Sequence, residues 1–96
     1  MKGVSFIIVN YFTADLVVSL VKSIEMHIQQ CEYEVLILDN SVDDGERSRL
    51  AAIDAAPRKV SFAETNLGFV AANNLLFSQA RYDLVVLLNP DTLLID

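Results

Sequence analysis

Residues 84–92 read LVVLLNPDT, and this stretch decides the fold class. Five consecutive apolar residues at its start predict a strand that is deeply buried in a sheet. Asn89, Pro90 and Asp91 then end the strand, because proline fixes one backbone angle and pushes the preceding residue towards an extended shape. A simple turn explains these three residues. The question is whether the carboxylate of Asp91 has a further use.

Three similar apolar blocks precede this strand, and amphipathic segments separate them. Strands are predicted at 4–9, 34–38 and 59–63, with helices after Thr13, over 46–55 and after residue 68. An apolar stripe recurs along the first helix at the spacing of one helical face: Val17, Leu20, Val21, Ile24 and Ile28. The third helix offers four side chains for packing: Val70, Leu75, Phe77 and Ala80. Thr13 is expected to cap the first helix.

The alternation of strands and helices predicts an α/β fold in which every strand pairing is parallel. Parallel crossovers are right-handed in about 98% of cases. The strand order 3-2-1-4 then places two helices on one face of the sheet and the third helix on the other. We therefore predict a three-layer sandwich with a mostly parallel sheet, and a single domain over residues 1–96. Ligands of open α/β sheets bind at a switch point beyond the carboxyl ends of the strands, here between the first and fourth strands.

The composition excludes several classes of function. The chain has 96 residues, 53% of them hydrophobic, which is enough for one core. Its formal net charge of −6 repels a phosphate backbone, so no nucleic-acid partner is expected. No apolar run approaches the roughly 20 residues that span a bilayer, so no membrane span is expected. A single cysteine cannot form an internal disulfide.

The usual phosphate-binding motifs do not occur in this sequence. Neither G-x-G-x-x-G nor G-x-x-x-x-G-K-[ST] is present, and there are only three glycines. A bound diphosphate would therefore need positive charge from another source. Mg²⁺ can supply it, since this ion is commonly held by one or two protein carboxylates together with substrate phosphates. Asp91, at the predicted switch point, is the candidate carboxylate.

Four segments of the chain resemble one known family: SFIIVNYFTADLV, YEVLILDNSVDDG, ETNLGFVAANN and LVVLLNPDT. In order and spacing they are similar to the nucleotide-sugar-binding half of the inverting family two glycosyltransferases, and most similar to the rhamnosyltransferase-like branch. The resemblance covers residues 1–96 and implies a truncated A-type fold of nucleotide-diphospho-sugar transferases. It implies that a dTDP- or UDP-linked sugar is transferred to an acceptor hydroxyl with inversion, with Mg²⁺ or Mn²⁺ as cofactor.

The resemblance also indicates where the general base of the reaction should lie. In the family this base belongs to the acceptor-binding half, well downstream of the D-x-D motif. It is therefore expected beyond Asp96, the last residue of the sequence. No catalytic residue is assigned within residues 1–96.

The resemblance assigns a nucleoside pocket to residues after the first two strands. It implies that Asn10 and Tyr11 line this pocket and that Tyr11 stacks on the base. It implies that Asp39 accepts a hydrogen bond from a pyrimidine base, because an imide N–H is a good donor to a charged oxygen. The alternatives are that Tyr11 covers core at the rim and that Asp39 only shapes its loop by Asx hydrogen bonding.

The resemblance assigns the rest of the donor site to the second half of the chain. Asn66, Gly68 and Asn73 match an N-L-G-x-x-x-x-N element that forms the floor of the site, where Gly68 allows close backbone approach. Asn73 can instead face solvent or bond a neighbouring loop. Asn89 and Asp91 stand at the family's D-x-D motif, with Asp91 as the metal ligand and Asn89 beside the substrate. Because Asn89 replaces the first acid, metal affinity without nucleotide should be low.

A second hypothesis is a non-catalytic nucleotide-binding or oligomerising structural module derived from the same fold. In the order 3-2-1-4, strands two and three are expected to lack cover on the face opposite the first two helices. The outer edge of the fourth strand is unpaired. Such a face or edge invites a homo-oligomer. Members of the family are generally cytoplasmic, or held at the inner membrane surface by segments outside this sequence, so a cytoplasmic location is expected.

Overall fold

The computed structural model describes residues 3–91, which form a parallel sheet between two layers of helices. The elements in chain order are β1 (Gly3–Asn10), α1 (Ala14–His27), β2 (Glu32–Asp39), α2 (Asp44–Ala51), β3 (Arg58–Phe62), α3 (Phe69–Gln79) and β4 (Leu84–Leu87). The four strands are all parallel, in the order β3-β2-β1-β4, which confirms the predicted fold class and strand order. Within residues 3–91, no helix combines the length and apolar character needed to cross a membrane.

The first face of the sheet packs against α1, as its apolar stripe predicts. Val17, Leu20 and Ile24 have no exposed surface, and Ile28 is partly buried beside them. The side chains that they meet come from the three neighbouring strands and α2: Phe6, Ile8, Val35, Ile37, Leu50 and Val60. This core fixes the carboxyl ends of β1 and β2 beside each other, where Asn10 pairs with Asp39 in the strand register.

The second face is covered by α3, but not through the side chains that the sequence predicts. Ala72 and Leu76 are fully buried against β1 and β2, and Ala80 packs beside them. The three other predicted contacts are wrong, since the exposed fractions are 71% for Val70, 41% for Leu75 and 60% for Phe77. The small Ala72 and the long Leu76, one turn apart, together set the rotation of the helix. Val70 lies two positions before Ala72, about 200° around the helix, and therefore faces away from the sheet.

β4 is an edge strand, and the prediction of deep burial for it is wrong. Within the described residues it pairs only with β1. Leu84 is 57% exposed and Leu87 is 53% exposed. Val86 packs against the α1 core and Val85 against the α3 core, but both are only partly buried, so the two helical layers cover β4 incompletely. The outer edge of this strand has no partner strand within residues 3–91, as predicted.

The predicted bare face across the second and third strands is not found. Leu36 and Leu38 of β2 lie on that face and are buried under α3. Lys59 and Ser61 of β3 pair with them in the register and therefore share that face. Because β3 presents polar side chains there, the exposed apolar surface of the sheet is confined to β4 and its edge.

Candidate functional site

A groove opens at the carboxyl ends of the strands, at the switch point between β1 and β4. Its volume is about 370 Å³, within the usual range for small-molecule sites. The lining combines apolar and amide groups from the end of β1, the loops after the four strands and the start of α3: Val9, Tyr11, Thr13, Asn40, Asn66, Gly68, Phe69 and Pro90. Of the residues assigned from the sequence, Tyr11, Asn66 and Gly68 line this groove. The groove therefore offers aromatic surface and hydrogen-bonding groups side by side.

Asn10 lies beneath the groove and not in its wall. It has no exposed surface. Its Nδ2 is 3.0 Å from Asp39 Oδ1, 3.3 Å from Ser41 Oγ and 3.1 Å from Glu46 Oε1, so two amide protons serve three acceptors. Its Oδ1 accepts hydrogen bonds from Thr13 N at 3.0 Å and Thr13 Oγ1 at 2.8 Å. The Asn10 amide is thus fully engaged by the protein itself.

Asp39 is the one described residue with a buried side-chain oxygen or nitrogen atom that has no hydrogen-bond partner. The residue is 1% exposed. Its Oδ1 accepts from Asn10 Nδ2 and, in an Asx turn, from the backbone N–H of Ser41 at 3.0 Å. Its Oδ2 accepts nothing from residues 3–91. An unmatched buried acceptor loses its hydration without compensation, so this atom marks a place where a donor is missing.

Glu46, the first residue of the predicted second helix, belongs to the same buried network. The residue is 5% exposed. Its Oε1 accepts from Asn10 Nδ2 and from the backbone N–H of Ala14 at 3.0 Å, while its Oε2 accepts from Arg49 Nη1 at 3.1 Å. Glu46 thereby accepts a hydrogen bond from the first residue of α1. The Thr13 side chain, which was expected to cap this helix, does not cap it, because its hydroxyl donates to Asn10 Oδ1.

The boundaries of α2 differ from the prediction, and the difference explains how Glu46 was missed. The helix begins at Asp44 and ends at Ala51, where the sequence predicted residues 46–55. The Asp43 side chain caps it by accepting from Glu46 N at 3.0 Å. An acidic cap followed three residues later by Glu is a capping-box spacing, and this spacing was the feature of the sequence that could have indicated a structural role for Glu46. In a capping box the Glu turns back to its own helix, whereas Glu46 reaches across to α1.

Two strained turns flank the buried network. Phe12 has φ 55° and Val42 has φ 52°, a left-handed backbone that is uncommon for non-glycine residues and especially unfavourable for a β-branched one. The N–H of Phe12 donates to Ser41 Oγ at 2.8 Å, which ties the two turns together. The rings of Tyr11 and Phe12 meet edge to face, with centroids 4.9 Å apart. Tyr11 is 57% exposed, so its ring stands at the groove mouth and does not cover core.

Asn40 holds the loop that forms the groove floor, and the sequence alone assigned no role to it. Its Nδ2 donates to Gly68 O at 3.1 Å, and its Oδ1 accepts from Leu67 N at 3.1 Å. Asn66 closes the loop by accepting from Gly68 N at 2.8 Å. Gly68 has φ 81°, and a Cβ there would meet nothing within 4 Å. The glycine is therefore required by its backbone conformation, and the space beside it is open.

Of the remaining assigned residues, Asn73 lies outside the groove lining, and Asn89 and Asp91 lie at the edge of the groove. The Nδ2 of Asn73 donates to the backbone oxygen of Phe69, one turn earlier in α3, and the structure does not bring Asn73 into the groove lining. Asn89 and Asp91 are exposed and flank Pro90, which does line the groove. Asp91 makes no ion pair or hydrogen bond with any other residue in the range 3–91.

The predicted position of the general base is not among the described residues. The resemblance implies that this base lies beyond Asp96, and Asp96 itself lies outside the range 3–91 that the structure describes. The expectation of a base beyond Asp96 therefore stays a prediction.

A metal ion fits this donor set only in company with a ligand. Among the described residues, no group of three or more His, Cys, Asp or Glu side chains could hold a metal. The Asp91 carboxylate and the Asn89 amide offer oxygen ligands at the edge of the groove, as Mg²⁺ or Mn²⁺ prefers. The residues present therefore suit a cation that completes its coordination with substrate phosphates and water.

Solved structures with this fold include a mannosyltransferase and several structures of TarS. A mannosyltransferase from Pyrobaculum calidifontis, in complex with GDP-Man and Mn²⁺, is similar with a TM-score of 0.78 and 23% identity, over 94% of this chain and 28% of that one. S. aureus TarS in complex with UDP has a TM-score of 0.75 and 25% identity, over 94% and 28% of the two chains. TarS in complex with UDP-GlcNAc has a TM-score of 0.72 and 24% identity, over 94% and 27%.

These likenesses are partial, because this chain spans little more than a quarter of the length of those three structures. No curated protein sequence matches the chain. A family match covers almost all of it, since residues 5–96 fit the family described as "Glycosyl transferase family 2". With the parallel sheet, the groove at its switch point and this match in agreement, the chain belongs to glycosyl transferase family 2.

Proposed function

We propose that this chain is the donor-binding part of an inverting glycosyltransferase and that it binds a nucleoside-diphosphate sugar in the groove. The observation that carries the proposal is the buried, unpaired Oδ2 of Asp39 at the carboxyl end of β2, the strand that pairs with β1 beside the switch point. Family membership supports the reaction class. Transfer of the sugar to an acceptor hydroxyl would require an acceptor-binding half in addition to residues 1–96.

Asp39 selects the base in this proposal. A carboxylate oxygen only accepts hydrogen bonds, so the missing partner must be a donor such as the imide N–H of uracil or thymine. Cytosine presents a lone pair at the same ring position and would be repelled. The Tyr11 ring supplies a stacking surface at the mouth. Because Oδ2 is buried, the base reaches it only when neighbouring side chains move aside. A dTDP- or UDP-linked donor fits this chemistry, and the complex of TarS with UDP supports it.

The diphosphate would lie over the groove floor formed by Asn66 and Gly68, towards Asp91. None of the described residues that line the groove is basic, so the charge of the diphosphate must be met in another way. Asp91, with Asn89 beside it, would hold Mg²⁺ or Mn²⁺. A bound cation acts as a Lewis acid that neutralises charge on the leaving diphosphate. The Mn²⁺ in the Pyrobaculum mannosyltransferase supports a divalent cation in this family.

The chain's own residues bind and orient the donor, and we assign no general base to them. In the family that this sequence resembles, the base lies downstream of the D-x-D position, on the acceptor side. Membership of the rhamnosyltransferase-like branch stays a prediction from the sequence segments. The cytoplasmic location stays a prediction as well.

Calorimetry on the full chain tests the donor site. We expect UDP and dTDP to bind in the presence of Mn²⁺ and to bind more weakly without it. The Asp91→Ala variant should lose the dependence on Mn²⁺, because the cation loses its one carboxylate ligand. Asp44→Ala, which removes an exposed acid from α2, is the matched control and should bind as the wild type does. If neither nucleotide binds at millimolar concentration with Mn²⁺, the proposal is wrong.

The exposed edge of β4 favours a second candidate, a non-catalytic module that associates with another copy of itself. Leu84 and Leu87 are both more than half exposed, on a strand whose outer edge has no partner among residues 3–91. An open apolar edge is a template for pairing with another strand. This candidate requires self-association without nucleotide binding, so the same titrations distinguish it from the donor-site proposal.

A further inference from the structure

We propose that Glu46 is a positioning residue of the donor site, which fixes the Asn10 amide and through it the Asp39 carboxylate. The inference rests on the proposed function, because it concerns the orientation of the atom that would receive the base. Neither the sequence segments nor the family match assigns a role to Glu46. Its side chain is 7% exposed although it is charged. Its Oε1 lies within the network beneath the groove, and its Oε2 pairs with Arg49.

The hydrogen bonds give the Asn10 amide one orientation. Its oxygen faces two donors, the N–H and the hydroxyl of Thr13. Its nitrogen faces acceptors from Asp39, Ser41 and Glu46. A flip of the amide would place its oxygen against two carboxylates and its NH₂ group against the Thr13 N–H. Glu46 therefore helps to exclude the flipped state, in which Asp39 would lose its bond from Asn10.

The bond from Asn10 matters because Asp39 has few restraints. Its Oδ1 is held by Asn10 Nδ2 and by Ser41 N, and these two bonds set the direction in which Oδ2 points. If Asn10 is released, the Asn10 bond is lost and the carboxylate can rotate. Rotation would turn Oδ2 away from the base and lower the affinity for a base that donates an N–H.

Glu46 also joins the secondary-structure elements that surround Asp39. It connects the start of α2, where it lies, to the end of β1 through Asn10 and to the start of α1 through Ala14 N. The partner of its second oxygen is Arg49, whose side chain is 57% exposed. Arg49 pairs with Oε2 at the surface, whereas Asn10 and Ala14 bond Oε1 in the interior. The position of the Oε1 acceptor and the negative charge of Glu46 can therefore be tested separately.

Two substitutions separate reach from charge. Glu46→Gln keeps the length of the side chain and an acceptor oxygen for Asn10 and Ala14, but loses the charge. Glu46→Asp keeps the charge and withdraws the acceptor by one methylene. Asp is also well tolerated near a helix N-terminus, so this variant should fold. Arg49→Gln is the matched control, since it breaks the ion pair and leaves the acceptor in place.

The test is the affinity of the full chain for UDP and CDP with Mn²⁺, measured by calorimetry. We expect Glu46→Gln and Arg49→Gln to stay within about threefold of the wild type. We expect Glu46→Asp to bind UDP roughly tenfold or more weakly, a loss that corresponds to one net hydrogen bond to a charged group. CDP should be affected less, because it does not use the N–H contact. A role in global stability alone would weaken both nucleotides equally.

The outcomes also separate this inference from the proposed function. If the wild type binds UDP and Glu46→Asp binds it equally well, Glu46 has no positioning role and the donor site stands. If Glu46→Gln loses binding while Glu46→Asp keeps it, charge and not position is what Glu46 supplies, and the inference is wrong. If the wild type binds no nucleotide, the proposed function and the ligand part of this inference both fail. In that case the NMR signals of the Asn10 side-chain amide decide whether Glu46 holds Asn10. We expect these signals to shift in Glu46→Asp. Unchanged signals would show that Glu46 does not fix the Asn10 amide, and the inference would be wrong.

Discussion

Replacement of Asp39 by asparagine should change which base the groove accepts. In the wild type, Oδ1 is occupied by Asn10 and by the backbone N–H of Ser41, and Oδ2 is unpaired. Asparagine can keep its carbonyl oxygen on those two donors, which turns its NH₂ group to the place of Oδ2. An acceptor then becomes a donor without a change in side-chain size. The imide N–H of uracil would be opposed, whereas the ring nitrogen of cytosine would be matched.

The size of the effect follows from the kind of hydrogen bond that is lost. A hydrogen bond to a charged group contributes about 1.5–3 kcal/mol, which corresponds to a factor of roughly 10 to 150 in affinity. Asp39→Asn should therefore lower the affinity for UDP by at least about tenfold and raise the affinity for CDP above that of the wild type. Calorimetry with both nucleotides in the presence of Mn²⁺ measures the ratio. Asp44→Asn makes the same charge change at an exposed position and should leave the ratio unchanged. If Asp39→Asn binds UDP with wild-type affinity, Asp39 does not contact the base.

Three further predictions concern stability and association. Val42→Asn should raise the free energy of unfolding by about 1 kcal/mol in urea denaturation, because asparagine tolerates the left-handed backbone at φ 52°; unchanged stability would mean that this turn is not strained. Gly68→Ala should lower the free energy of unfolding by about 1–3 kcal/mol, since φ 81° with ψ 168° is a backbone conformation that only glycine adopts readily, although no atom would touch the added methyl group. An unchanged melting temperature by circular dichroism would contradict this. The wild type should form dimers or larger species at high concentration through the edge of β4, and Leu84→Lys combined with Leu87→Lys should give a monomeric mass in light scattering; a wild type that is monomeric at every concentration would contradict this.

The parts of the fold that the sequence predicted depend on strong local patterns. The stripe from Val17 to Ile28 identifies the buried face of α1, and the handedness of parallel crossovers limits the strand order. The pattern failed for α3, because apolar residues surround that helix and the short side chain of Ala72 faces the sheet. It failed again for β4, whose apolar sequence indicates a buried strand but not whether covering helices reach it.

The position of the candidate site could likewise be predicted from the sequence, but the roles of its side chains could not. Its place at the switch point between β1 and β4 follows from topology, so the groove lies where the sequence predicted it. The functions of single side chains depend on distances that the sequence does not contain. Asn10 is four residues from Ala14 along the chain, but the residue that links them is Glu46, more than thirty positions away. The unpaired oxygen of Asp39 becomes visible only when every other partner in the network is known.

A crystal structure of the full chain with UDP and Mn²⁺ would show whether Asp39 contacts the base. We expect the Asp39 Oδ2 atom to lie about 2.7–3.1 Å from the imide nitrogen of uracil, as in an ordinary hydrogen bond. We also expect the Asp91 carboxylate and the diphosphate to share the metal ion. A nucleotide bound elsewhere, with Oδ2 still unpaired beneath an empty groove, would contradict the proposed donor site.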